Sequence, residues 1–234
     1  MPTVLLVRHG QASFDSDDYD RLSPLGARQA AHLGDWFGRC ARPVHALHRG
    51  ALLRHRQTAE HFLEALPPPL RPQAEVRVDP GFDEYDHDAI LLALRPDFAD
   101  KSAMRAWTSQ QPQPRRAFQA LFAEAMQRWM AGAHDDYPET WAAFQSRCLA
   151  ALQRSIAAAP EAKSLVIVSS GGPISAICQA LLGLSDERTG ELCYGLVNSG
   201  VTRLLHGAGR ISLHALNDIA HLEVQGDPGL VTYR

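Results

Sequence analysis

The sequence predicts an α/β fold of three layers, with helices on both faces of a mostly parallel central sheet and a helical insertion. Two strongly apolar segments, Thr3–Gly10 and Leu165–Val168, are typical of strands buried on both faces. Segments with helical periodicity alternate with the strand-like segments, and this alternation favours a parallel sheet. Both buried strands end in polar, glycine-containing sequence, which is where open α/β sheets bind their ligands.

The individual elements follow from local patterns. Ser23 is suited to cap a helix at Leu22–Phe37, and Pro24 is suited to its first position. Four further strands are predicted, at Val44–Leu47, Glu75–Val78, Val201–Leu205 and Ile211–Leu216. Further helices are predicted at Arg54–Leu66, at Thr140–Ala158 and directly after Ser170-Gly171-Gly172.

Residues 90–136 have a mostly helical pattern and interrupt the alternation of strands and helices. We interpret them as a helical cap inserted into a single domain that spans 1–234. The aromatic residues of this insert are expected in its core: Trp107, Phe118, Phe122 and Trp129.

Composition excludes several classes of function. The 234 residues carry a formal net charge of −3, which gives no general attraction to nucleic acid or to an anionic membrane. The apolar run Val4–Val7 is far too short for a signal peptide core or a membrane span. The four cysteines show no CxxC spacing, so thiols in a reducing cytoplasm are expected. An exposed apolar helix face in the insert would allow a dimer.

Arginine and histidine at the strand ends indicate phosphoryl chemistry. Arg8-His9 closes the first strand, and the arginine-rich stretch Leu52–Ala59 begins a helix after the next strand. A guanidinium grips phosphoryl oxygens in bidentate fashion, and a neutral imidazole is a competent nucleophile near neutral pH. The segment Gly81–Asp88 supplies carboxylates and a histidine that could protonate a leaving alcohol.

The stretch VIVSSGGPISAI, Val166–Ile177, looks like an anion cradle. The glycines let the backbone approach a ligand, and Pro173 is suited to the first position of a helix. The N–H groups of Gly171 and Gly172 would then face an anion at the helix N-terminus, with Ser170 as a further donor.

Five motifs in this order resemble the histidine phosphatase superfamily, the phosphoglycerate-mutase-like fold: VRHGQAS, LSPLGARQA, LLRHRQTA, FDEYD and VSSGGPI. The resemblance covers nearly the whole chain and is weakest over 90–136. It implies a phosphohistidine formed on His9, with Arg8 and Arg54 binding the phosphate and Glu84 protonating the leaving oxygen. It also implies a small phosphorylated substrate and neither a metal nor another cofactor.

The chain departs from the resembled pattern at several positions. Ser170 stands where a second histidine is expected, and Gly50 stands where a serine usually precedes the arginine by four residues. The threonine or serine expected two residues after the first glycine is Ala12, so Ser13 is the candidate phosphate ligand there. Where the mutases commonly have an asparagine, this chain has Asp15 and Ser16.

Loss of one preorganised donor to a transition state costs about 10²–10³ in rate, so the replacement at Ser170 predicts a slow enzyme. We expect that another histidine could compensate, with His87 the first candidate because it follows Glu84 closely, and His206 or His55 after it.

Other functions were weighed on the same residues. A serine hydrolase would need G-x-S-x-G, and Val168 stands where the first glycine belongs. The acidic cluster Asp83–Asp88 lacks a second group of hard ligands, so a solvated loop is expected rather than a metal site. The run Ser16–Asp20 is expected to be an exposed loop that could rim the pocket. The alternative to a phosphomonoesterase is a phosphate-pocket protein that works as a ligand-binding or regulatory module. A phosphoglycerate mutase is the less favoured third function.

Overall fold

The computed structural model describes residues 1–13 and 20–233. Within them the chain forms a six-stranded mixed sheet in the order β3-β2-β4-β1-β5-β6. The strands are β1 (Thr3–Arg8), β2 (Ala46–Arg49), β3 (Arg77–Val78), β4 (Ser164–Ser169), β5 (Val201–Gly207) and β6 (Arg210–Asp218). The first four strands in this order are parallel, and β5 and β6 run antiparallel to their neighbours. The predicted α/β class with a mostly parallel sheet is confirmed.

Helices cover both faces of this sheet. They are α1 (Pro24–Arg39), α2 (Leu53–Ala65), α3 (His87–Leu94), α4 (Lys101–Ser109), α5 (Pro114–Met130), α6 (Trp141–Ala158), α7 (Gly171–Leu182), α8 (Asp186–Gly195) and α9 (Ala220–Glu223). No helix of the described residues is long and apolar enough to cross a membrane.

Side chains of successive residues in the central strand β1 pack into two cores on opposite faces of the sheet. Leu5 and Val7 pack with α1 and α2, whereas Val4 and Leu6 pack with α6 and α7. Because side chains alternate across a strand, a strand covered on both faces has to be apolar throughout. This accounts for the uninterrupted apolar sequence of β1 and gives the three layers.

Several predicted boundaries were wrong. The strand predicted at Glu75–Val78 is only two residues long, since it lies exposed at the sheet edge and Pro80 follows it closely. The helix after β4 begins at Gly171, so Pro173 is its third residue and not its first. The strands β5 and β6 are longer than predicted, because they pair as a hairpin with an exposed outer face.

Residues 90–136 contain most of α3 and the whole of α4 and α5. Trp129 is fully buried and packs against Tyr85 with their ring centroids 5.1 Å apart. Phe122 stacks on Phe118 and on His87. The insert therefore rests on the loop between β3 and α3, which carries Glu84. Trp107 lies elsewhere, against Phe98.

Candidate active site

Three strand ends converge at one edge of the sheet. Arg8 of β1 is paired with Ser169 of β4, and Arg49 of β2 is paired with Val168 of β4. The pairing continues beyond the strands, because the His9 N–H donates to the Ser169 carbonyl at 2.8 Å. The sequences that follow these strands are therefore neighbours, as parallel strand ends in adjacent positions must be.

His9 is buried and oriented by its own backbone. The Nδ1–H donates to the Gly10 carbonyl at 2.7 Å, which leaves the Nε2 lone pair available as a nucleophile. The His9 carbonyl in turn accepts from the Ser199 N–H and the Asn198 amide, each at 3.2 Å. Burial lowers the pKa of His9 well below its usual value, and Arg54, Arg8 and His55 lower it further. The ring is thus held neutral near neutral pH.

The turn at Gly10 requires glycine. A Cβ at this position would lie 2.9 Å from Gly26 Cα in the first turn of α1, and closer still to the Gly26 carbonyl. The Gly10 N–H donates to Thr58 Oγ1, and the Thr58 hydroxyl donates to the Arg54 carbonyl. Thr58 thereby couples the loop after β1 to α2, which carries the second arginine.

Arg54 is buried and paired with a carboxylate. Its Nη1 lies 2.7 Å from Asp20 Oδ1, and the Asp20 carboxylate also accepts the Leu53 N–H at 2.7 Å. Asp20 therefore caps the N-terminus of α2, where Leu52 at the cap position has no side-chain acceptor. This corrects the expectation that Asp20 belongs simply to an exposed loop, because its carboxylate is bonded to α2. Residues 14–19, which include Asp15 and Ser16, lie outside the described residues.

Arg8 reaches across the end of the sheet. Its Nη1 donates to the carbonyls of Leu196 and Tyr233, the latter at 2.9 Å. A Cβ at Gly171 would lie 3.7 Å from Arg8 Nε, so the guanidinium lies beside the first residue of α7. Arg8 and the start of α7 are brought together, as the sequence predicted.

Glu84 lies at the N-terminus of α7. Its Oε2 accepts the Gly172 N–H at 3.2 Å. A Cβ at Gly172 would lie 2.6 Å from Tyr85 Cε1 and closer still to Glu84 Oε1, so glycine is needed for this approach. The Gly172 N–H was expected in the phosphate cradle, and here it orients the carboxylate. The Ser169 hydroxyl donates to the Phe82 carbonyl at 2.8 Å and joins β4 to the same loop.

Ser170 is fully buried and contacts a histidine on α2. Its Oγ lies 2.7 Å from His55 Nε2. The His55 ring, also fully buried, lies 5.8 Å from the His9 ring between centroids, and its Nδ1 lies 3.6 Å from Asp83 Oδ1. Of the three candidate histidines, His55 is therefore the one that contacts Ser170.

The other two histidines have different surroundings. His87 packs on Tyr85 with ring centroids 4.5 Å apart and stacks on Phe122, beside Glu84. His206 lies at the opposite edge of the sheet, where its N–H donates to the Pro2 carbonyl. The expectation that His206 could compensate for the histidine replaced by Ser170 is therefore wrong.

Two carboxylates of the acidic cluster Asp83–Asp88 have structural roles. Asp83 Oδ1 accepts the Ala51 N–H at 2.6 Å, and the Asp86 side chain caps α3. Within the described residues, no three His, Cys, Asp or Glu side chains are grouped as metal ligands.

Ser13 bonds through its N–H to the Arg21 carbonyl, and its role as a phosphate ligand stays a prediction. Sequence reasoning missed the roles of Asp20, Asp83 and Thr58.

Solved structures of phosphate-handling enzymes share this fold. Phosphoserine phosphatase from Entamoeba histolytica, in complex with 3-phosphoglyceric acid, has a TM-score of 0.65 at 18% identity and covers 95% of this chain and 100% of its own. Phosphoglycerate mutase from Bacillus anthracis has a TM-score of 0.66 at 15% identity and covers 97% of each chain. Mycobacterial glucosyl-3-phosphoglycerate phosphatase, in complex with inorganic phosphate, has a TM-score of 0.60 at 22% identity and covers 95% of this chain and 100% of its own.

At these identities the likeness concerns the fold. No curated protein matches the sequence. The family model of the histidine phosphatase superfamily (branch 1) matches residues 4–117 and 104–219, which is most of the chain. The chain therefore belongs to the histidine phosphatase superfamily.

Proposed function

We propose that the protein is a metal-independent phosphatase that hydrolyses phosphate monoesters through a phosphohistidine on His9. In the first step His9 Nε2 attacks phosphorus, the bond from phosphorus to the ester oxygen breaks, and Glu84 in its acid form protonates the leaving oxygen. Arg8 and Arg54 hold the phosphoryl oxygens and balance their charge.

In the second step water replaces the departed alcohol. Glu84, now a carboxylate, takes a proton from the water as it attacks phosphorus, and the bond from phosphorus to Nε2 breaks. His9 returns to its neutral form and inorganic phosphate leaves. The substrate is a small phosphate monoester, and no cofactor takes part.

One observation carries this proposal: a buried, neutral His9 has its Nδ1–H bonded to Gly10 and lies close enough to Arg8 and Arg54 to be influenced by their charge, with a carboxylate at the neighbouring helix N-terminus. A protein that only binds phosphate needs the arginines but neither the free Nε2 nor the carboxylate. Membership of the superfamily supports the same function.

The turnover is expected to be slow, because we propose that Ser170 replaces a second histidine in holding the phosphoryl oxygens. The Gly171 N–H remains a candidate donor at the start of α7, and Ser13 is a candidate donor from the loop after β1. The Gly172 N–H has an indirect role, because it donates to the Glu84 carboxylate and orients it.

Hydrolysis of p-nitrophenyl phosphate in EDTA, compared between the native protein and His9→Ala, tests the proposal. We expect measurable turnover by the native protein and a loss of at least about 10³-fold in His9→Ala, because the covalent route is removed. Cys40→Ala, at an exposed thiol that follows α1 and lies outside the five motifs, is the matched control and should retain native turnover. Equal rates for His9→Ala and native protein would refute the phosphohistidine route.

A ligand-binding or regulatory module is the second candidate. It is favoured by the engagement of both arginines, since Arg54 pairs with Asp20 and Arg8 donates to two carbonyls. Calorimetric binding of inorganic phosphate without any turnover would favour this module over the phosphatase. Transfer of the phosphoryl group to an added alcohol in preference to water would instead favour a mutase.

Two further properties are part of the proposal. The chain works as one domain in which residues 90–136 cap the site, because Trp129 and Phe122 pack on Tyr85 and His87, which closely follow Glu84. A cytoplasmic location agrees with the cysteines, all of which are free thiols.

A further inference from the structure

The departures at Gly50 and Ser170 meet at one buried ring. His55 Nε2 contacts Ser170 Oγ at 2.7 Å, while a Cβ at Gly50 would lie 2.8 Å from His55 Cε1 and 2.5 Å from Asp83 Oδ1. Any side chain at position 50 would therefore displace the ring or its carboxylate neighbour. The glycine at 50, the histidine at 55 and the serine at 170 form one packed arrangement.

We propose that Asp83, His55 and Ser170 form a hydrogen-bonded triad in which His55, as a positioning residue, turns Ser170 into a hydrogen-bond donor when a phosphoryl oxyanion binds. The triad rests on the phosphate site of the proposed function, and it predicts that His55 takes up a proton from solvent when the anion binds.

The hydrogens on His55 and Ser170 decide in which protonation state of His55 the Ser170 hydroxyl can donate to a phosphoryl oxygen. A hydroxyl has one hydrogen, and an unprotonated imidazole nitrogen can only accept. If His55 is neutral with its Nδ1–H toward Asp83, Ser170 donates to Nε2 and offers an incoming oxyanion only lone pairs. If His55 is doubly protonated, its Nε2–H donates to Ser170, and the hydroxyl hydrogen is available to a phosphoryl oxygen.

The second neutral tautomer is disfavoured by Asp83. With the proton on Nε2, the Nδ1 lone pair of His55 would face the Asp83 carboxylate, whose Oδ1 is 3.6 Å away. His55 Nδ1 is buried and has no hydrogen-bond partner within the described residues. When an anion binds on the Ser170 side, the ring lies between that negative charge and the Asp83 carboxylate. Both charges then favour the protonated form of the ring.

Charged groups on two of the elements around the ring act on its protonation. Burial lowers the pKa of His55, and Arg54 on the same helix lowers it too, whereas Asp83 and Glu84 on the acidic loop raise it. His9 faces it from the loop after β1, and Ser170, at the start of α7, carries no charge. The ring is therefore neutral in the free protein near neutral pH. A bound dianion would add negative charge and draw one proton from solvent onto His55.

Sulfate is a suitable probe, because it stays a dianion throughout the pH range in which histidines titrate. Its binding to a His9→Asn protein, which lacks the proton of His9, can be followed by calorimetry at pH 7 in buffers of different ionisation enthalpy. We expect uptake of up to about one proton per sulfate. Addition of His55→Gln should abolish the uptake, because an amide does not titrate.

His87→Gln in the same His9→Asn protein is the matched control, since His87 is also close to Glu84, and it should leave the uptake unchanged. Asp83→Asn keeps an acceptor for the Ala51 N–H and should reduce the uptake, so it serves where His55→Gln does not fold. Uptake that persists in a folded His55→Gln protein would overturn this role of the triad, and so would failure of the His9→Asn protein to bind sulfate. Uptake that depends on His55, together with a native protein that hydrolyses no phosphate monoester, would uphold the triad and refute the phosphatase.

Discussion

A single methyl group added at Gly50 should displace the His55 ring and weaken the fold. A Cβ there would lie 2.5 Å from Asp83 Oδ1 and 2.8 Å from His55 Cε1, well inside the ordinary van der Waals range of 3.4–4 Å. Overpacking of this kind costs about 1–3 kcal/mol. Loss of the buried bond between His55 and Ser170 adds about 1 kcal/mol. Gly50→Ala should therefore lower the free energy of unfolding by about 2–4 kcal/mol.

Thermal and urea unfolding measure this effect. In a chain of this size about 1 kcal/mol corresponds to about 2–4 °C, so the Tm should fall by about 4–16 °C. Gly190→Ala is the matched control, because a Cβ at that position of α8 meets nothing within 4 Å. It should be neutral or stabilising by up to about 1 kcal/mol, since alanine is the better helix former.

The His55→Ala background shows whether the ring is the cause. Once the ring is removed, Gly50→Ala should cost less, because only the close approach to Asp83 remains. The difference gives a coupling free energy of about 1–3 kcal/mol between the two positions. An equal cost of Gly50→Ala with and without the ring would refute the packing described for Gly50. A Gly50→Ala protein as stable as the native one would refute it as well.

Three further predictions concern the acid, the arginine and pH. Glu84→Gln should lower kcat/KM for an alkyl phosphate by about 10²-fold or more, and less for p-nitrophenyl phosphate, whose leaving group needs no proton; equal losses would contradict its role as acid. Asp20→Asn should keep the cap on the Leu53 N–H and tighten phosphate binding about two- to tenfold in calorimetry, because it removes a negative charge beside Arg54; weaker binding would count against this. Burial lowers the pKa of His221 from 6.5 to about 4, so the unfolded chain binds the proton first as pH falls. The stability it contributes is present above about pH 6.5 and should be lost toward pH 4, by up to about 3 kcal/mol in urea unfolding, and His221→Gln should lose correspondingly less over that window.

The edge of the sheet that carries the site could be predicted from the sequence, because the strand ends are explicit there. Apolar runs that stop at Arg8 and at Ser169 mark two strand ends, and adjacent parallel strands bring such ends to the same edge. The position of Arg54 follows from the next strand in the same way. The fold class was predictable for the same reason, since the alternation of elements is a property of the chain.

The partner of Ser170 could not be predicted, because it depends on packing between distant segments. His55 meets Ser170 across 115 positions of sequence, in space left open by Gly50. Proximity in sequence to Glu84 favoured His87, but that ring packs on Tyr85 and Phe122.

The sequence carries one weak signal for the role of Asp20. A helix that begins after Leu52 lacks a side-chain cap, so a carboxylate from elsewhere was needed for its free N–H groups. The sequence around Asp20 does not indicate that it supplies this carboxylate, because Asp20 and the start of α2 come together only in the folded chain.

Direct detection of the covalent intermediate is the most decisive measurement. Native protein would be mixed with a phosphate monoester, quenched in alkali, where phosphohistidine survives, and digested for mass spectrometry. The phosphatase mechanism predicts one added phosphoryl group on the peptide that contains His9 and none in His9→Ala. Turnover without phosphorylation of His9, or with the phosphoryl group on Ser170, would contradict it.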